Sequence, residues 1–335
     1  MVCVTGATGH LGNNLVRSLA NRGERVRCLV PPGEDLRPLS GLDVETVIGD
    51  VRDFESLYRA FRDADTVFHL ASVITLVPGQ SRILEEVNVI GTRNVVRACL
   101  AADVKRLVYT SSIHALVEPP HGTTIDESCP CDPSRIPMSY GRSKARATLE
   151  VIGGIQKGLD AVIILPTGMV GPNDFRPSEM GQFILDFARG RIPVSVEGGY
   201  NFVDVRDVAE GHVEAACKGR CGSMYILAGE WISIQAIMEE LSLLTGRRAP
   251  KLRLPLAASR ALSTLVTGVS VAFGVRPLFS REAVSTVLSN SAVSSEKARR
   301  ELGFRPRPLK ETIRDAVEWF KSAGMLGQKG GSAVV

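Results

Sequence analysis

Val2-Cys3-Val4-Thr5-Gly6-Ala7-Thr8-Gly9-His10-Leu11-Gly12 is a short apolar run that breaks into three glycines at a spacing of three. The pattern predicts a strand turning directly into a helix. Gly6 permits the tight turn, Gly9 lets backbone N–H groups approach a pyrophosphate, and Gly12 lets the new helix pack close against the strand. The helix N-terminus then faces the anion with unsatisfied donors and a partial positive charge. Glycines also cluster in ordinary turns, so the spacing draws its weight from its surroundings. A helix over 11–21 follows, apolar at Leu11, Leu15, Val16 and Leu19 and stopped by Arg22-Gly23, and a strand over 25–30 comes straight after. The three together read as a βαβ unit.

Outward from this unit, strands keep alternating with helices. Apolar or β-rich runs at 44–48, 66–70, 105–110 and 160–165 read as strands, with helices at 54–61 (Asp53 as N-cap), 83–101 and 139–156. That alternation predicts an α/β fold with a Rossmann-type doubly wound parallel sheet, spanning residues 1–172. Regularity drops from Phe175 onward. Short strands are expected near Val194, Phe202-Val203 and Met224-Tyr225-Ile226, with helices at 180–189, 206–218, 234–245, 281–287, 295–302 and 309–323. Residues 173–326 therefore read as a smaller, mixed substrate domain, with one or two segments at about 200–230 returning to the sheet and a flexible tail at 327–335.

The chain has 335 residues, 44% hydrophobic and 23% charged, with a net charge of +4. Its 40 basic residues form no Lys/Arg run, so charge gives nucleic-acid binding no support. With the first strand starting at residue 1 or 2 no signal peptide is expected, and the expected compartment is the cytoplasm. Seven scattered cysteines are expected as reduced thiols, and neither Cys129-Pro130-Cys131 nor Cys217-x-x-x-Cys221 has the spacing of a metal site. Residues 254–275 are apolar and small with Arg260 their one charge, yet Pro255, Gly268 and Gly274 argue against a membrane span. A helix pair over an apolar substrate pocket is the expectation there, with an interfacial membrane contact as the alternative.

Ligands of such sheets bind at the carboxyl ends of the strands, and two groups of residues fall there. Thr110-Ser111-Ser112 closes the strand over 105–110, and Tyr140 and Lys144 stand one helical turn apart on the helix that follows. A phenol with an ordinary pKa near 10 is a poor acid-base group at neutral pH, but a nearby ammonium and an oxidised nicotinamide stabilise its anion. Tyr140 is then placed to exchange a proton with a carbonyl or hydroxyl oxygen while hydride moves at the adjacent carbon, with Ser112 bonding the same oxygen. After the strand over 25–30, Pro31 offers the cofactor ribose nothing, while Glu34, Asp35 and Arg37 point both ways. NAD against NADP stays open.

Thr5-Gly6-x-x-Gly9-x-x-Gly12, Asp50-Val51, Asn88-x-x-Gly91-Thr92, Ser112, Tyr140-x-x-x-Lys144 and the run 201–209 resemble the extended short-chain dehydrogenase/reductase family over nearly the whole chain. The resemblance implies an NAD(P)(H) cofactor held by Gly6, Thr8, Gly9, His10, Leu11, Gly12, Asp50, Val51, Leu70, Ala71, Ser72, Tyr140, Lys144, Pro166 and Gly168. It implies catalysis by Ser112, Tyr140 and Lys144, and a homodimer formed by the helices at 83–101 and 139–156. The sugar-nucleotide epimerases and dehydratases of the family usually show Ser-Ser-x-x-Val-Tyr-Gly and Arg-Pro-x-x-Val-Tyr-Gly-Pro. Here the matching stretches read Ser111-Ser112-Ile113-His114-Ala115-Leu116-Val117 and Leu165-Pro166-Thr167-Gly168-Met169-Val170-Gly171-Pro172. Both departures lean toward the branch of dihydroflavonol reductase and 3-beta-hydroxysteroid dehydrogenase. The expected reaction is interconversion of a secondary alcohol and a ketone or aldehyde on a largely apolar small molecule, with Ile113, His114, Phe175, Met180 and Phe202 in the pocket. The rivals are a sugar-nucleotide epimerase or dehydratase with tightly held NAD and, last, a non-catalytic dinucleotide sensor.

Overall fold

The computed structural model describes residues 1–74, 81–254, 286–287 and 289–326. Seven parallel strands form its main sheet: β1 (Val2–Thr5), β2 (Val26–Val30), β3 (Glu45–Ile48), β4 (Thr66–His69), β5 (Arg106–Thr110), β6 (Ala161–Pro166) and β10 (Met224–Leu227). Their spatial order is β10-β6-β5-β4-β1-β2-β3. The chain winds one way from β1 to β3 and the other way from β4 to β10, so the order reverses between β1 and β4. A crevice at the carboxyl ends follows from that reversal.

Side chains of successive strand residues point to opposite faces, and this divides the core in two. Cys3, Leu107, Tyr109, Ile163 and Leu165 pack on one face against α2 (Phe54–Phe61), α3 (Gly91–Ala101) and α4 (Ser139–Ile155). Val2, Val4, Val108, Val162 and Ile164 pack on the other against α1 (His10–Asn21), α6 (Val205–Lys218) and α8 (Glu296–Leu302). Both faces of the sheet are covered. Asp53 caps α2 as expected, its carboxylate accepting from Glu55 N at 3.1 Å.

The remaining elements lie over the carboxyl edge. β7 (Gly168–Val170), β9 (Gly199–Asp204) and β11 (Glu230–Ser233) form a three-stranded sheet in the order β11-β9-β7, and β8 (Ser195–Val196) pairs with β12 (Arg253–Leu254). Around them stand α5 (Glu179–Ala188), α7 (Ile234–Thr245) and α9 (Leu309–Ser322). β7 and β11 escaped the sequence reading because runs of three or four residues hold too little of a period-two pattern.

One expected helix differs in kind. In place of a continuous α-helix over 83–101, residues Leu84–Ile90 form a π-helical segment that leads into α3. The wider turn carries Asn88 toward the loop after β4, and π-bulges of this sort gather at functional sites. Among the described residues no helix is long and apolar enough to cross a membrane. The expected helix pair over 254–275 beyond residue 254, the helix over 281–287 apart from its last two residues, and the tail at 327–335 lie outside the described residues.

Candidate active site

The glycine-rich turn forms a cradle. Gly6 has a φ of +72°, and a Cβ there would stand 2.6 Å from Ala71 N. A Cβ on Gly12 would collide with the Gly6 carbonyl, whereas one on Gly9 would meet only Gly6 O at 3.3 Å. Gly9 thus leaves its outer side open. No side chain caps α1 and its first turn holds no acidic residue, so its N–H groups are presented to an anion. A dinucleotide pyrophosphate fits this arrangement. His10 Nε2 donates to Pro172 O at 3.0 Å, Asn13 Nδ2 to Asn173 O at 3.0 Å and Asn14 Nδ2 to Pro172 O at 3.2 Å, which fastens the loop after β7 beside the turn.

The other residues expected at the cofactor lie along the same edge. Asp50 pairs with Arg52 at 2.6 Å, and the carbonyl of buried Val51 accepts from Asn94 Nδ2 at 3.2 Å. Leu70 N donates to Thr5 O and Ala71 N to Thr5 Oγ1, continuing β4 past the crevice, while Leu11 is buried in the core. Pro166 ends β6, and Gly168 opens β7, where a Cβ would meet the Phe202 ring at 2.7 Å. Gly168 is therefore a packing glycine.

Ser112, Tyr140 and Lys144 converge at the end of β5. Lys144 is 3% exposed, and its Nζ donates to Thr110 O at 2.6 Å and lies 4.8 Å from the centre of the Tyr109 ring. Burial pushes the Tyr140 phenol up to about 12, while the hydroxyls of Ser112 and Ser72 pull it the other way. The expected lowering of the phenol was a joint effect of Lys144 and an oxidised nicotinamide, and the value here belongs to the protein without that second charge. Burial also lowers the Lys144 ammonium, to about 7.

Asn88 organises the floor beside them. Its Oδ1 accepts from Ser72 Oγ at 3.1 Å and Val73 N at 2.8 Å, and its Nδ2 donates to Val73 O and Ser143 Oγ, both at 3.0 Å. One side chain thereby joins the loop after β4 to α4, and fixes Ser72 near the phenol.

A cavity of about 270 Å³ opens next to this group, lined by Ile113, His114, Leu116, Ile125, Tyr200 and Val293 among others. His114 stacks on Tyr200 at 5.9 Å, shares a hydrogen bond with its hydroxyl at 3.2 Å, and meets the Tyr140 ring edge-on at 6.5 Å. Burial lowers the imidazole to about 4 and raises the Tyr200 phenol, so both are neutral at pH 7. The wall combines apolar side chains with the neutral His114 and Tyr200 and with the polar Glu118, Arg135, Ser289 and Asn290. Of the residues expected here, Ile113 and His114 line the cavity. Phe175 instead packs on Trp319 at 5.1 Å, Phe202 on Tyr200 at 5.6 Å, and Met180 against the core. Tyr200 was missed: it sits beside the recognised run 201–209 on β9, and its contact with His114 spans 86 residues of chain.

Residues 2–228 match the model of the NAD-dependent epimerase/dehydratase family. "Sterol demethylase protein B" of Methylococcus capsulatus is 38% identical over 96% of this chain and 99% of its own. "4-hydroxy-2-methyl-3-oxo-4-farnesyl-3,4-dihydroquinoline-1-oxide ketoreductase" of Stigmatella aurantiaca is 29% identical over 97% of each chain. The crystal structure of gox2253 superposes with a TM-score of 0.86 at 36% identity, covering 97% of this chain and 99% of that one.

Proposed function

The chain belongs to the NAD-dependent epimerase/dehydratase family, and within it we propose a dehydrogenase/reductase that interconverts a secondary alcohol and a ketone or aldehyde on a largely apolar small molecule. The observation that carries this reading is the convergence of Ser112, Tyr140 and Lys144 beside a cavity whose wall includes Ile113, Leu116, Val117, Ile125, Ile136 and Val293, with His114 joining the two. Two relatives carry names that refer to a sterol and to a farnesylated ketone, which supports an apolar substrate.

The residues divide the work as follows. The glycine turn and the α1 N-terminus hold the pyrophosphate, and Lys144 holds the nicotinamide ribose. When bound, the nicotinamide gives or takes the hydride and, oxidised, adds the positive charge that favours the phenolate. Tyr140 Oη donates its proton to the carbonyl oxygen in reduction, or removes the hydroxyl proton in oxidation. Ser112 Oγ donates a hydrogen bond to that same oxygen and orients it. Ile113, Leu116 and Ile125 keep water away from the reacting carbon. In the same reading the chain pairs with a second copy through the helices that carry Ile90 and Leu149, both exposed.

Tyr140→Phe tests the assignment: it should cut turnover about 10²- to 10⁴-fold while cofactor affinity holds. Near-full turnover by the variant would exclude the mechanism. Thermal-shift titration with a steroid ketone and with a UDP-sugar tests the substrate class. Stabilisation by the apolar ligand supports the proposal, and stabilisation by the nucleotide-sugar alone hands the site to an epimerase.

A further inference from the structure

We propose that Glu34 selects the dinucleotide and that it selects NAD(H) over NADP(H), by holding a carboxylate where the 2′-oxygen of the adenosine ribose arrives. The choice of cofactor is the property that the loop after β2 decides in this fold: a carboxylate there accepts from a ribose hydroxyl, and a cation there pairs with a 2′-phosphate. Pro31, the first residue past β2, has a side chain that does neither. Glu34 stands three residues further on, and the backbone folds it back. Glu34 N donates to Pro31 O at 3.2 Å, closing a turn in which Gly33 has a φ of +75°.

That turn delivers the carboxylate to the glycine-rich cradle itself. Thr8 Oγ1 donates to Glu34 Oε1 at 2.8 Å, and Arg176 Nη2 reaches the same oxygen at 2.7 Å from the loop after β7. The Glu34 side chain is only 13% exposed, while Arg176 is 61% exposed. The carboxylate is thus fixed from two sides, and its cationic partner lies outward. Neither other charged candidate in the loop is poised this way. Asp35 is engaged with Arg37 at 2.7 Å, on a side chain that is 74% exposed. A ribose 2′-hydroxyl would find a held acceptor at Glu34. A 2′-phosphate, carrying about −1.5 to −2 charges, would meet a like charge already paired with Arg176 and would have to compete with it for that cation.

The inference rests on the family's cofactor and not on the proposed substrate, and its test needs no substrate. Calorimetric titration of the full chain with NAD⁺ and NADP⁺ at low salt should show NAD⁺ binding at least about tenfold tighter, equal to about 1.4 kcal/mol. Glu34→Gln keeps an acceptor for Thr8 and removes the charge, so it should gain NADP⁺ affinity and compress that ratio toward one. Arg176→Ala should leave NAD⁺ the tighter ligand. A wild-type protein that prefers NADP⁺, or a Glu34→Gln variant with an unchanged ratio, overturns the proposal. Loss of NADP⁺ binding in Arg176→Ala, with NADP⁺ the wild-type preference, would assign the choice to Arg176 instead. Failure of every ketone in an activity screen would leave this titration untouched.

Discussion

Gly12 shows how a single residue can hold a site without touching a ligand. A methyl group there would run into the Gly6 carbonyl, which is backbone and cannot swing aside. Gly12→Ala must therefore push α1 away from the turn, at a cost of about 1–3 kcal/mol for overpacking. Thermal unfolding should register that loss, and calorimetry should find dinucleotide binding weakened with it. Gly9→Ala, which meets one atom at 3.3 Å, should leave the fold stable and weaken cofactor binding alone. Equal stability losses in the two variants would contradict the division of roles. The spacing of the three glycines was legible in the sequence. Which of them faces the helix and which faces the ligand is a matter of contacts.

At the scale of an element, the π-helical segment Leu84–Ile90 does what a regular helix over the same residues was not expected to do. Its Asn88 meets four polar partners on two other segments and is 1% exposed. Asn88→Ala would leave the half-buried Val73 N–H and C=O without this partner, while Ser143 keeps its bond to Tyr140 O, at a cost of about 1–3 kcal/mol. Urea unfolding checks the stability. The same variant should lower turnover, because Ser72 loses the acceptor that holds it beside Tyr140. Wild-type turnover with reduced stability would show that the clamp serves the fold only. The motif Asn88-x-x-Gly91-Thr92 marked this element in the sequence, but a π turn differs from an α turn by one residue. No pattern of apolar positions reports that difference at this length.

The whole molecule carries buried histidines that make it sensitive to acid. Burial holds His114 and His212 at about 4, and burial together with the Lys144 charge holds His69 at about 3. All three lie below the ordinary value of 6.5, so as pH falls through 6.5 the unfolded chain takes up protons that the fold refuses. Stability should therefore decline from about pH 6.5 down to about pH 4, each fully linked histidine adding about 1.4 kcal/mol per pH unit. His212→Gln, placed to keep the bond to Thr110 Oγ1, should flatten the slope by that amount in urea unfolding at stepped pH. An unchanged slope would mean that His212 titrates alike in both states. From the sequence alone came the class of fold, the glycine cradle and the order of Ser112, Tyr140 and Lys144, because strand and helix periodicities and glycine spacing are local properties. The tertiary structure alone decided the reversal of strand order that opens the crevice and the meeting of His114 with Tyr200, 86 residues away. It alone decided that Lys144 titrates near neutrality and that Glu34 faces Thr8, because burial and charge contact depend on which distant segments are packed together.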